Sequence, residues 1–282
     1  MVNERYPVGK ISDAFDRHNK EKPTKKVESL PREKPRRLIT EEPETTIARR
    51  LARQNFFSEK LVVLSAPDSA EAENFRILRG QLLYARDRER PRAIMVTSTF
   101  PGEGKTFVTG NLAVSLALSM DEYVLAIDCD LRRPTLHTIC GYPNTEGLHE
   151  YLTGKRKLED VIIRTKIKKF SLLPAGVAPR NPAELLASAA MEDFIKEVRD
   201  RYKDRYVVID SPPAHITAET RVLAEYVDGI VFVVMAQRSP RREVQKSLEI
   251  LGREKILGVV FNGYSQARKT YHKYYDRYYK KK

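Results

Sequence analysis

Three stretches of this 282-residue chain place phosphate- or metal-binding side chains directly after an apolar, β-type run: VTSTFPGEGKT (Val96 to Thr106), VLAIDCDLRRP (Val124 to Pro134) and YVVIDSPP (Tyr206 to Pro213). In the first, Pro101, Gly102, Glu103 and Gly104 form a loop whose two glycines let the backbone curl so that N–H groups point at phosphate oxygens. Lys105, Thr106 and Phe107 then open a helix, and the positive end of a helix favours an anion. Lys105 is placed to reach the β- and γ-phosphates of a nucleoside triphosphate as a point charge, and the Thr106 hydroxyl can hold Mg²⁺ against the same oxygens. Asp210 suits a second metal-side position, through a water.

Each segment taken singly has a plainer reading. Thr99 stands where the strict pattern GxxxxGK[ST] requires its first glycine, and Asp128 and Asp130 alone could be turn or cap carboxylates after a buried strand. Random sequence would rarely supply all three ligand sets in order at three strand ends. Together they describe one nucleotide site.

The elements that must carry these residues alternate regularly. Strands are expected at Ala93 to Ser98, Tyr123 to Asp128, Phe170 to Pro174, Tyr206 to Asp210, Ile230 to Met235 and Ile256 to Asn262. Helices fall between them, one opened by Asn181 and Pro182. Near-continuous Val/Ile runs imply strands covered on both faces. The expected architecture is α/β, a doubly wound, mostly parallel sheet with helices on both faces and the ligand at the carboxyl ends of the strands. Before it, SAEAENFRILRGQLLYA (Ser69 to Ala85) sets Phe75, Leu78, Leu82 and Leu83 at helical spacing. Glu73, Arg76 and Arg79 occupy an adjoining strip as ExxRxxR. It reads either as a salt-bridged helix surface or as an interface of complementary charges between subunits.

Length accommodates one such domain of about 200 residues with tails. The chain divides into a basic, largely disordered segment 1–60, a nucleotide-binding domain 61–265 and a tyrosine-rich tail 266–282. Asn19 to Glu44 mixes charges with prolines and reads as a linker; Gly9 to Arg17 could form a short amphipathic helix. No apolar run approaches the roughly 20 residues of a membrane span and no secretory core opens the chain, so a cytoplasmic location is expected. Cys129 and Cys140 show no metal-ligand spacing and are expected to be free thiols.

The net charge of +13 sits in the ends: residues 1–60 carry 15 Lys/Arg against 10 Asp/Glu, and residues 266–282 carry 7 against 1. A nucleic-acid groove would put its excess on a folded face, so no nucleic acid is expected. Flexible basic tails suit an acidic partner or the anionic inner leaflet, or serve solubility alone. Five of the 14 tyrosines fall in the last 12 residues, at Tyr271, Tyr274, Tyr275, Tyr278 and Tyr279, with no Leu, Ile or Val to pack against. An exposed phosphoacceptor tail is the preferred reading.

SxxPGEGKT, IDCDLRRP, IDSPP, ExxRxxR and the tyrosine cluster together resemble the bacterial tyrosine kinases of capsule and exopolysaccharide synthesis, a P-loop family, from about Lys60 onward. GLHEYLTGKRKLEDVI and LLPAGVAPRNPAELLAS resemble that family's connecting segments. The resemblance implies that Lys105, Thr106, Asp128, Asp130 and Asp210 act with ATP and Mg²⁺ to phosphorylate tyrosine, chiefly in the tail of a neighbouring subunit of a ring-like homo-oligomer assembled through Glu73, Arg76 and Arg79. A phenol with a pKa near 10 needs a carboxylate to take its proton, a role assigned to Asp128 with Asp130 on the metal side, although the two could be exchanged. Arg132 either offsets phosphate charge or holds the aspartate loop. Asn262 is placed to meet the adenine, or is a strand-end turn residue. Absence of a membrane span implies a separate membrane chain-length regulator that recruits and activates the kinase at the inner face of the plasma membrane. The competing class is the positioning or partitioning ATPase, which resembles this chain in its aspartate motifs but carries a lysine where Phe100 stands. A catalytically idle nucleotide-binding scaffold is the third class.

Overall fold

The computed structural model describes residues 44–52, 57–84, 90–119, 122–200 and 205–264. The possible helix at Gly9 to Arg17, the linker up to residue 43 and the five tail tyrosines lie outside them.

Seven strands, β1 (Ala93–Ser98), β2 (Tyr123–Asp128), β3 (Ile163–Arg164), β4 (Phe170–Leu173), β5 (Arg205–Asp210), β6 (Gly229–Met235) and β7 (Ile256–Asn262), form one sheet in the order β3-β4-β2-β5-β1-β6-β7. Every neighbouring pair is parallel except β3 with β4. The chain leaves β1, crosses β5 to reach β2 and later returns to the other side of β1 at β6. That reversal opens a crevice beyond the carboxyl ends of β1, β5 and β2, where an open α/β sheet binds its ligand.

Alternation along each strand builds two cores. Ile94, Val96, Val124, Ala126, Tyr206 and Val208 face one side, while Met95, Leu125, Ile127, Val207 and Ile209 face the other. The first side is covered by α1 (Glu44–Ala52), α2 (Ala70–Leu83) and α3 (Lys105–Ala117); the second by α4 (Ala189–Asp200), α5 (Ala218–Tyr226) and α6 (Arg241–Leu251). Shorter helices at Leu136–Cys140, Leu148–Leu152, Leu158–Val161 and Pro182–Leu186 fill the connections. α2 begins where Ser69 accepts a hydrogen bond from the Ala72 amide at 3.1 Å, a cap that contributes about 1 kcal/mol. Its Phe75, Leu82 and Leu83 are buried and Leu78 packs against the same core. Cys129 and Cys140 are buried free thiols. Among the described residues no helix is long and apolar enough to cross a membrane.

Three features differ from expectation. β3 is two residues long, too short to leave a periodic trace, and it blunts an edge of the sheet. β7 was expected to be covered on both faces, but it is the opposite edge strand: Phe261 is 68 % exposed and Val259 42 %. Finally, the packed structure reaches back across the expected boundary at residue 60. α1 lies in the segment expected to be largely disordered, and its Ala48 is buried among core side chains.

Candidate active site

The loop between β1 and α3 carries the lysine. Gly102 and Gly104 have φ of 80° and 94°, a left-handed conformation that costs glycine little and other residues much. Gly104 has a second constraint: a Cβ there would lie 1.9 Å from the Asn262 side-chain nitrogen. That amide donates to the Glu103 carbonyl at 2.9 Å, so the end of β7 rests on the loop. The buried Glu103 carboxylate completes the brace, accepting from the Phe100 amide at 2.8 Å and from the Ser239 hydroxyl. Thus Asn262, read as an adenine contact or a strand-end turn residue, has its amide nitrogen bonded to the loop and its Oδ1 accepting from the Gly263 amide. The Phe107 ring turns into the core edge-on to Phe75, leaving its backbone as the part that faces the loop.

The buried ionic groups converge from three strand ends. Lys105 Nζ lies 2.7 Å from Asp130 Oδ2, and Thr106 Oγ1 donates to Asp210 Oδ2 at 2.7 Å. Thr109, one turn along α3 from Lys105, donates to Asp210 Oδ1 at 3.1 Å, and the Thr135 hydroxyl meets that of Thr106 at 3.1 Å. Asp128 organises the loop after β2: its Oδ1 accepts from the Asp130 amide at 3.1 Å, and its Oδ2 from the amides of Thr135 and Leu136 at 3.1 and 3.0 Å.

Crowding three carboxylates out of water has an electrostatic cost. Burial, then the Asp210 charge, pushes the Asp128 carboxyl well above the usual range, against the opposing Leu136 amide. Burial likewise raises Asp210, which Lys105 and the Thr106 hydroxyl partly offset. Burial alone would lower Lys105, but Asp210, Asp130 and Asp128 together hold it above its ordinary value and keep it charged. Cys129, between the aspartates, is pushed up by burial and by those carboxylates and is an inert thiol.

Arg132 is not aimed freely at the loop. Its side chain is 54 % exposed, yet Nε and Nη2 both bond Glu219 Oε1, at 2.8 and 2.7 Å, and Glu219 is 2 % exposed at the start of α5. The arginine therefore ties the aspartate loop to α5. Farther away, Glu73, Arg76 and Arg79 share a face of α2. Arg76 pairs with Glu73 at 2.7 Å, while Arg79 pairs with Glu44 of α1 at 2.9 Å and donates to the Ser115 carbonyl at 2.6 Å. Glu44 also lies 3.6 Å from Arg76.

Sequence reading did not single out Thr109, Thr135, Ser239, Glu219, the Glu103 carboxylate or Glu44. Thr109 was within reach, since a hydroxyl four residues after Lys105 falls on the same helix face.

The arrangement fits a nucleoside triphosphate with a divalent cation. The glycine loop and the first amides of α3 suit an anion, Lys105 supplies positive charge beside them, and Thr106 with Asp210 presents oxygens of the kind a divalent cation would take beside phosphate and water. Comparison with known proteins agrees. The family model described as an AAA domain matches residues 91–239. The chain is 32 % identical over 231 residues to the tyrosine-protein kinase YwqD of Bacillus subtilis, covering 81 % of this chain and 96 % of that one. It is 31 % identical over 214 residues to the putative tyrosine-protein kinase CapB of Staphylococcus aureus, covering 75 % and 92 %. Among solved structures, the chimerical protein CapA2B2 superposes with a TM-score of 0.69 at 33 % identity, over 74 % of this chain and 92 % of that one. The septum site-determining protein MinD of Pyrococcus horikoshii, complexed with Mg-ADP, shares the fold at a TM-score of 0.52 and 25 % identity, over 66 % and 76 %. With its nucleotide loop, its two aspartate motifs and relatives matched over nearly their whole length, this chain belongs to the bacterial tyrosine-protein kinases.

Proposed function

We propose that this kinase moves the terminal phosphoryl group of ATP, bound with Mg²⁺, onto tyrosines 271, 274, 275, 278 and 279 in the tail of a neighbouring copy, and thereby regulates capsular or exopolysaccharide synthesis and export. The observation that carries the reading is the meeting of Lys105, Asp130, Thr106 and Asp210 at three adjacent strand ends, on a chain that ends in a tyrosine cluster.

A bound divalent cation would supply charge neutralisation to the triphosphate. Lys105 adds to it, and Thr106, Asp130 and Asp210 are the residues that would hold the cation. The phenolic oxygen bonds to the γ-phosphorus as the bond from that phosphorus to the β–γ bridging oxygen breaks. ADP leaves, and the phenolic proton passes to Asp128. Asp128 is given that role as the carboxylate that ends β2, two residues before the lysine-paired Asp130. Most of the rate comes from positioning and charge neutralisation.

Copies meet through the helix of Glu73, Arg76 and Arg79, where a neighbour's carboxylate competes with Glu44 for the arginines. Each tail phosphate adds about −1.5 to −2, so five add roughly −8 to −10 and reverse a basic segment. Attraction to a neighbour's site becomes repulsion, and the ring comes apart. A separate membrane chain-length regulator recruits the kinase to the inner face of the plasma membrane, with the basic ends assisting at anionic lipid.

The MinD likeness favours a second reading, a positioning ATPase that transfers phosphate only to water. Incubation with labelled ATP and Mg²⁺ separates them. Label should be retained on the wild-type chain and lost in Lys105→Met and in the variant with all five tail tyrosines changed to Phe. Hydrolysis without protein label would favour the ATPase.

A further inference from the structure

The position at which positioning ATPases carry a lysine is Phe100, and its surroundings are those of a small aromatic platform. The Phe100 ring is half-buried and meets the His215 ring edge-on, with centroids 5.1 Å apart and planes at 64°. The backbone that carries each ring is hydrogen-bonded in place. The Phe100 amide is bonded to Glu103 Oε2 at 2.8 Å, the His215 amide donates to the Thr99 carbonyl at 3.3 Å, and the Ala214 amide donates to the Ser98 carbonyl at 2.8 Å. On its other side, His215 Nε2 lies 3.4 Å from Glu243 Oε2. Ile216, next in the chain, is 58 % exposed. An aromatic pair and an exposed aliphatic side chain thus stand on, or directly beside, the loop that holds the phosphates.

We propose that the Phe100–His215 pair, flanked by Ile216, is the platform that receives the ring of the acceptor tyrosine. The proposal rests on the tyrosine-kinase reading above and adds to it how the acceptor is recognised. A phenol that attacks the terminal phosphoryl group must lay its apolar ring next to the phosphate loop, and the rest of that site is ionic. Aromatic rings favour edge-to-face or offset contact with one another and bury a large area for little conformational entropy. A serine or threonine hydroxyl has no ring to place there and a shorter reach, so the platform selects tyrosine. The two glycines that shape the loop, Gly102 and Gly104, lie beyond Phe100, so the loop's conformation does not need an aromatic side chain at this position.

The test is steady-state kinetics on the full chain with two acceptors, a Glu/Tyr copolymer and a peptide of residues 266–282. Phe100→Ala should raise the acceptor KM by roughly tenfold, the size expected when an aromatic contact and its buried area are lost, and shift the ATP KM by less than about twofold. Phe100→Leu, which keeps the apolar bulk and guards against misfolding, should show an intermediate rise, and Phe100→Trp should restore the acceptor KM. An unchanged acceptor KM in both the Ala and Leu variants would overturn the platform. So would a parallel rise in both KM values, which would make Phe100 a part of the phosphate loop alone. Phosphorylation of the copolymer but not the peptide by wild type would count against the tail as acceptor while leaving the platform tested.

Discussion

The side-chain amide of Asn262 lies on Gly104 and donates to the carbonyl of Glu103 at 2.9 Å, so the residue that closes the last strand also fixes the loop that receives phosphate. The tyrosine tail begins a few residues after Asn262. The end of β7 and the glycine loop of the same chain are therefore bonded to one another.

Gly104 is constrained twice, by a φ of 94° and by the Asn262 amide 1.9 Å from where a Cβ would sit. Gly104→Ala should weaken nucleotide binding roughly tenfold or more in titration calorimetry. Adding Asn262→Gly should recover only part of it, because the backbone strain of about 1 kcal/mol or more stays. Full recovery in the double variant would show that the steric contact alone matters.

Glu103 is a buried carboxylate that spans two donors, Phe100 N and Ser239 Oγ. Removing it leaves the Phe100 amide unpaired, while the Ser239 hydroxyl keeps the Met235 carbonyl at 3.2 Å; at about 1–3 kcal/mol for the lost bonds, Glu103→Ala should weaken ATP binding roughly tenfold or more. Glu103→Gln keeps an acceptor and should stay within about threefold of wild type. Equal losses in the two variants would remove the brace from the account.

Much of this site was legible because its chemistry is local. Gly102 to Thr106 and Asp128 to Asp130 are each read within a few residues, and an apolar run before each one places it at a strand end. Glu219, Ser239 and Thr135 were not legible, because their partners lie far along the chain or in another motif and nothing in their own neighbourhood marks them. β7 shows a further limit. An edge strand and a central strand can carry the same Val/Ile run, so composition could not say that Val259 and Phe261 face outward. Glu44 ends a segment whose charge and prolines read as a linker, yet it opens the helix that buries Ala48.

Glu44 is the shared partner of Arg76 and Arg79, all three largely shielded from water. Glu44→Gln should lower stability by about 1–3 kcal/mol in urea unfolding, since it leaves the partly buried Arg79 guanidinium short of a counter-charge while Arg76 keeps Glu73 at 2.7 Å. A change below about 0.5 kcal/mol would place the pair among the surface bridges that contribute little.

Burial, then Asp210, holds the Asp128 carboxyl well above the ordinary carboxylate range. A carboxyl raised in this way contributes stability that is fully present below its unfolded value of about 3.9 and is lost as pH rises through the folded value. Asp128→Asn cannot titrate. In thermal unfolding without Mg²⁺ or nucleotide, the Tm difference between variant and wild type should shift in favour of the variant as pH rises above the ordinary carboxylate range. A difference that does not change with pH would contradict the raised carboxyl.

Transfer between copies is tested most directly by mixing two defective chains with ATP and Mg²⁺. One is Lys105→Met with its tail intact; the other keeps the active site but has Phe at all five tail tyrosines. Mass spectrometry should find phosphotyrosine at positions 271–279 of the Lys105→Met chain in the mixture and in neither chain alone. Nucleotide hydrolysis in the mixture with no phosphotyrosine on that tail would contradict the account.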